Sequence, residues 1–203
     1  MLIEEEPSRI GARFRTKISI SESDYYEGEV EGGKLNGSGT LVLVSKGMTY
    51  VGEFLDNQRH GLGSENWADG IKYIGQLKND RKEGYGEWSL ADGTNYVGHF
   101  MDGAFEGFGV LSKTNEYKYS GTFQKGLKHG TGKISYLDGN YYDGNFYKGK
   151  KHGKGMFYCD QTQYTYDGEW FNGKQHGVGF VTEIGSSKIK SLFQDGARVA
   201  ILE

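Results

Sequence analysis

Four of the five histidines, His60, His129, His152 and His176, recur at near-regular intervals, and such a series invites a metal site. Three segments, Gly28 to Lys34, Gly144 to Lys150 and Gly168 to Lys174, fit Gly-x4-Gly-Lys, the opening of a phosphate-cradling loop. Cys159 is the one thiol and has no cysteine to pair with, and no sequence-local pair of carboxylates stands out for acid–base work. Eight lysines, Lys118, Lys125, Lys128, Lys133, Lys148, Lys150, Lys151 and Lys154, face only Asp138 and Asp143 between residues 118 and 154, a candidate surface for an anionic partner. Whether any of these groups can act together depends on the elements that carry them.

Those elements repeat. Tyr-x-Gly begins at Tyr26, Tyr50, Tyr73, Tyr96, Tyr119, Tyr142 and Tyr166, at spacings of 24, 23, 23, 23, 23 and 24. Four positions after each Tyr stands Val30, Phe54, Leu77, Phe100, Phe123, Phe146 or Trp170. Three further on comes Gly33, Asn57, Asp80, Gly103, Gly126, Gly149 or Gly173, the residue types that accept positive φ. A Gly-x-Gly follows, preceded by Asn36, His60, Glu83, Glu106, His129, His152 or His176, and an Asp-Gly or its substitute closes the unit. All of the 34 glycines except Gly11, Gly32 and Gly185 fall in this register. Two turn signals in 23 residues leave room for two strands of about five or six residues, one hairpin per repeat. Tyr, Gly and the bulky residue then share one strand face, while the alternate positions carry residues such as Glu27, Glu29, Ser120 and Asp143. Glycine-rich strands flanking an aromatic column predict rings laid flat on neighbouring backbone, with Tyr26, Tyr50, Phe54, Tyr73, Tyr96, Phe100, Tyr119, Phe123, Tyr142, Phe146, Tyr166 and Trp170 as the ladder. Glu65 is the one polar residue in an otherwise apolar column of the second strands.

The fullest copies, Tyr142-Asp143-Gly144-Asn145-Phe146 with Gly149-Lys150-Lys151-His152-Gly153-Lys154-Gly155, and Tyr166 to Trp170 with Gly173 to Gly179, resemble the MORN repeat, the membrane occupation and recognition nexus family. The resemblance spans residues 26–188 as seven copies (26–49, 50–72, 73–95, 96–118, 119–141, 142–165, 166–188). Residues 1–25 read as a tail and a capping strand, with 1–10 expected to be mobile, and 189–203 as a degenerate terminal half-repeat. The expected fold is all-β, an elongated single-layer antiparallel meander of about fifteen or sixteen strands.

This geometry removes most of the chemistry. Equivalent histidines lie two strand spacings apart, roughly 9.6 Å, too far to share a zinc. The phosphate-loop segments lack the following Ser or Thr and a helix, and their glycines are repeat columns. No cofactor or metal is expected, and with only short segments outside the repeats the chain reads as non-enzymatic. Residues 1–100 carry 11 basic and 16 acidic side chains, residues 101–203 carry 13 and 11. A negative total and a lysine-only cluster argue against nucleic acid. No apolar run is long enough for a spanning helix and the N-terminus lacks signal-peptide character, so the expectation is a soluble intracellular protein. What the resemblance implies is a rod that docks other proteins in a cytoskeletal assembly, such as a ciliary or flagellar axoneme with its radial spokes; self-association into a homodimer is compatible with it. The alternative it implies is recognition of acidic phospholipid headgroups through the basic surface.

Overall fold

Each repeat becomes a hairpin because its first turn is two residues long and both residues take positive φ. At Asp56-Asn57 the values are 48° and 70°, and at Lys148-Gly149 they are 47° and 84°. This is the type I′ pattern, whose twist matches that of paired strands. The computed structural model describes residues 11–202; the expectation for residues 1–10 lies outside them. Seventeen strands form one antiparallel sheet of consecutive hairpins, and no α-helix occurs among the described residues.

The chain divides into two compact units between Ala104 and Phe105. The first holds a leading strand β1 (Phe14–Ser19), then β2 (Tyr25–Glu31), β3 (Lys34–Leu43), β4 (Met48–Leu55), β5 (Gln58–Trp67), β6 (Lys72–Lys78), β7 (Arg81–Ser89) and β8 (Thr94–Met101), each paired with the next. The second runs through β9 (Ala104–Lys113), β10 (Tyr117–Gln124), β11 (Leu127–Tyr136), β12 (Tyr141–Tyr147), β13 (Lys150–Cys159), β14 (Tyr164–Phe171), β15 (Lys174–Thr182), β16 (Ile189–Gln194) and β17 (Ala197–Ile201), again in chain order.

The repeat strands are longer than five or six residues: β2 has 7, and β3, β5, β11 and β13 have 10. In the second strands two of the added residues form a bulge. Within the hairpins β2–β3, β4–β5, β6–β7, β10–β11, β12–β13 and β14–β15 the second strand spends two extra residues, so that Gly121 pairs with Gly132 but Phe123 with Lys128. Toward the next hairpin the same strand is regular, Gly130 facing Phe146 and Gly132 facing Gly144. The bulge separates the roles of the two glycines of Gly-x-Gly. The first, such as Gly61 or Gly130, bends the strand at positive φ. The second lies beneath the tyrosine ring, where a Cβ on Gly132 would stand 2.4 Å from the Tyr119 hydroxyl.

All seven column tyrosines are fully buried. Each hydroxyl donates to the carbonyl three residues on, from Tyr26 to Glu29 at 2.8 Å through Tyr119 to Thr122 at 2.9 Å and Tyr166 to Glu169 at 2.7 Å. The rings meet their bulky neighbours edge to face. In the second unit the series Phe105, Phe123, Tyr119, Phe146, Tyr142, Trp170, Tyr166, Phe193 is continuous, with centroids 4.9 to 5.7 Å apart. In the first unit Tyr26–Phe54–Tyr50 and Tyr73–Phe100–Tyr96 repeat the contact, and buried Leu77 stands between them without a ring.

The terminal unit differs from the expected half-repeat, since β16 and β17 make a complete hairpin with Asp195 and Gly196 at its turn. Ile189 replaces the tyrosine there, so no ring needs a glycine floor and buried Ser191 takes the place of Gly.

Two predictions follow from the ring and its floor. Gly132→Ala forces a methyl into the Tyr119 ring and should cost roughly 1–3 kcal/mol in urea unfolding. Gly126→Ala, in open space at positive φ, should cost only about 1 kcal/mol. Equal costs would mean that the floor is not tight. Burial also pushes the phenols of Tyr26, Tyr50, Tyr119 and Tyr166 up to about 12. The folded state then keeps protons that an unfolded chain releases near pH 10, so this stability is whole below about pH 10 and lost as the pH rises toward 12. Tyrosinate absorbance from these rings should grow together with the loss of the β circular-dichroism signal; ionisation at pH 10 with the sheet intact would contradict this.

Candidate functional site

Nine positions after each column tyrosine, the second strand returns over the ring. The sequence reading did not single out this column, although Arg59, Lys82, Lys128 and Lys151 occupy it at the repeat spacing. Their charged groups stand 5.8 Å from the Tyr50 ring, 5.0 Å from Tyr73, 5.1 Å from Tyr119 and 5.0 Å from Tyr142. Each is a cationic lid on a buried ring, and burial lowers the Lys128 and Lys151 ammonium pKa values. The carbonyls of this column hold the array together: Lys128 accepts from the Gly149 amide at 2.8 Å, and Lys151 from Gly173 at 2.8 Å.

Two lids explain Glu65. Its carboxylate is 5% exposed, with Arg59 Nη1 at 2.7 Å and Lys82 Nζ at 3.4 Å, and Arg59 also reaches Asp80 Oδ1 at 2.8 Å. The cluster lines a cavity of about 570 Å³ with Leu41, Leu43, Met48 and Trp67. A buried carboxylate is tolerated in an apolar column because the lid column supplies its counter-ions.

The eight candidate lysines do not share one surface. Lys128 and Lys151 lie on the ring face. Lys118, Lys133 and Lys154 stand on the opposite face by strand alternation, Lys133 above the Tyr141 ring at 4.3 Å. Lys125, Lys148 and Lys150 lie at the hairpin turns.

The histidines also belong to the face opposite the rings. In the second unit they alternate with side chains five positions after the tyrosines: His129–Tyr147 5.2 Å, Tyr147–His152 5.5 Å, His152–Phe171 5.3 Å, Phe171–His176 5.6 Å. The Nδ1 atoms of His60, His152 and His176 are buried without a hydrogen-bond partner among the described residues. No group of three metal-ligating side chains converges among the described residues. This face also carries a run of exposed apolar side chains on β4 to β7, Val51, Leu62, Ile74 and Tyr85, between 48% and 63% exposed. Glu53 caps the bulge amide of Leu62 at 3.0 Å, and Gln76 that of Tyr85 at 3.2 Å.

The MORN repeat matches residues 26–48, 50–72, 73–95, 96–115, 119–141, 142–162 and 166–182, well over half of the chain. A comparison with curated proteins finds no match. Among solved structures, the TCP domain of SAS-4 (dCPAP) of Drosophila melanogaster, in complex with a proline-rich motif of Ana2 (dSTIL), is similar at 13% identity and a TM-score of 0.41, over 100% of this chain and 97% of that one.

The Glu65 cluster gives an asymmetric expectation. Arg59→Met leaves the buried carboxylate with Lys82 as its remaining cation and should cost about 2 kcal/mol, while Glu65→Leu restores the apolar column and should be close to neutral. Chemical denaturation of the two variants decides it; a larger loss for Glu65→Leu would make the carboxylate a net stabiliser.

Proposed function

The chain belongs to the MORN-repeat family, and on that premise we propose that it is a non-enzymatic scaffold docking protein partners within a cytoskeletal assembly, with a ciliary or flagellar axoneme of radial-spoke type as its setting. The coarser part of this reading, a repeat-based interaction scaffold, follows from the repeats themselves. The observation that carries the protein-docking role is the face opposite the rings. The repeat spends its tyrosines, glycines and lids on holding hairpins together, and then leaves Val51, Leu62, Ile74 and Tyr85 facing water on four neighbouring strands. Exposed apolar side chains in such a run mark a surface that a partner covers.

Recognition of acidic phospholipid headgroups is the second reading. It draws on the lysines of the hairpin turns, Lys125, Lys148 and Lys150, which would meet an anionic bilayer at about 1 kcal/mol each. The two readings differ in salt dependence, because lysine attraction to a bilayer is screened beyond ~8 Å at physiological ionic strength whereas apolar burial is not.

Replacing Leu62, Ile74 and Tyr85 together by Ser should release the protein from a detergent-extracted cytoskeleton while its circular dichroism is unchanged. The unmodified chain should stay bound through a salt wash that abolishes its co-sedimentation with acidic liposomes. Loss of the unmodified protein at the detergent step would sink the scaffold reading in favour of the membrane.

A further inference from the structure

The turn edges of the two units are electrostatically unlike. In the first unit, cations at one hairpin turn pair with the Asp of the next, Lys34 with Asp56 at 2.9 Å and Arg81 with Asp102 at 3.0 Å. In the second unit, lysines occupy those turns instead, and Lys125, Lys148, Lys150 and Lys174 form no salt bridge among the described residues. Beside this edge runs the ladder of His129, Tyr147, His152, Phe171 and His176, in which Tyr147 is 46% and Phe171 50% exposed. Lys148 stands 5.3 Å from the Tyr147 ring, so the cationic rim and the rings are contiguous.

We propose that this edge is a docking surface for an acidic protein segment in the polyproline II conformation, an inference that rests on the scaffold reading above. Charge complementarity selects an acidic occupant, and geometry selects its conformation. The equivalent rings Tyr147 and Phe171 stand one repeat apart, two strand spacings or roughly 9.6 Å. A polyproline II helix brings every third residue to the same side at about 9.3 Å. An extended strand turns every third residue to the opposite side, and an α-helix first returns to one face near that distance after seven residues, at about 10.5 Å. Strand addition is closed here, because β12, β13, β14 and β15 are each paired along both edges. A polyproline II segment leaves its backbone hydrated and asks no ladder bonds of the sheet, so it can cross the strands with an apolar residue on each ring and carboxylates toward the lysines.

The test uses the full chain and a fluorescein-labelled peptide of four Pro-Pro-Asp triplets, read by anisotropy. Binding should weaken at least about tenfold for Tyr147→Ala with Phe171→Ala, and about tenfold for Lys148→Glu with Lys150→Glu, which also flattens the salt dependence. The lysines are exposed turn residues, so this second pair probes the cationic rim without truncating either ring. A peptide of four Gly-Ser-Asp triplets, equal in charge but without the helix, should bind about tenfold more weakly. Equal binding of the two peptides, or no loss with either pair of substitutions, overturns the proposal. So does binding of phosphatidylserine vesicles that depends on Tyr147 and Phe171 when the peptide does not bind. Cytoskeletal retention through Leu62, Ile74 and Tyr85 is scored separately, so either inference can fail while the other stands.

Discussion

A tyrosine ring lying flat on two glycines is the constraint from which the rest of this molecule follows. The ring can reach the backbone only where neither strand of the hairpin carries a Cβ, as at Gly121 and Gly132 beneath Tyr119. Once there, its hydroxyl satisfies the carbonyl of Thr122, a residue opposite the bulge whose own hydroxyl bonds the His129 carbonyl. The glycines that cost strand entropy are therefore offset by ring burial and by a hydrogen bond that fixes the bulge. Where the ring is lost, at Ile189, the glycine requirement goes with it.

The bulge and the lid propagate this local arrangement. Bulging lengthens the second strand on its own hairpin's side alone, which brings the ninth residue back over the ring and presents its carbonyl to the next turn. Each repeat thus uses one face and most of its backbone for its neighbours, in keeping with a nearest-neighbour array. What remains for partners is the opposite face and the turn edge, the surfaces that differ most from repeat to repeat. Glu65 is the exception on the ring face, and Arg59 and Lys82 account for it without a ligand.

Turns, hairpins and the aromatic column were legible because they depend on residue types with few alternatives: positive φ at Asn57 or Gly149, and an aromatic at fixed spacing. The bulge was not, since both glycines of Gly-x-Gly look alike in a sequence although Gly130 bends the chain and Gly132 floors a ring. The bulge lengthens the second strands and gives Arg59, Lys82, Lys128 and Lys151, visible in the sequence only as a period, their place over the rings. The lysines between 118 and 154 formed a cluster only along the chain, because alternation and turns send Lys151, Lys154 and Lys148 to a ring, the opposite face and an edge. The His129–Tyr147 and His152–Phe171 contacts join residues from successive hairpins and are contained in no single repeat, whereas Tyr147–His152 and Phe171–His176 each close within one.

The most direct test of the central claim is residue-resolved amide hydrogen exchange on Tyr119→Leu, which keeps apolar bulk but removes the flat ring and its hydroxyl. Protection should fall across β10 and β11, most at the bulge around His129 to Gly132, while β14 to β16 remain protected. Unchanged protection at the bulge would show that the ring does not hold the hairpin, and uniform loss through β16 would show that the repeats do not act as locally coupled units.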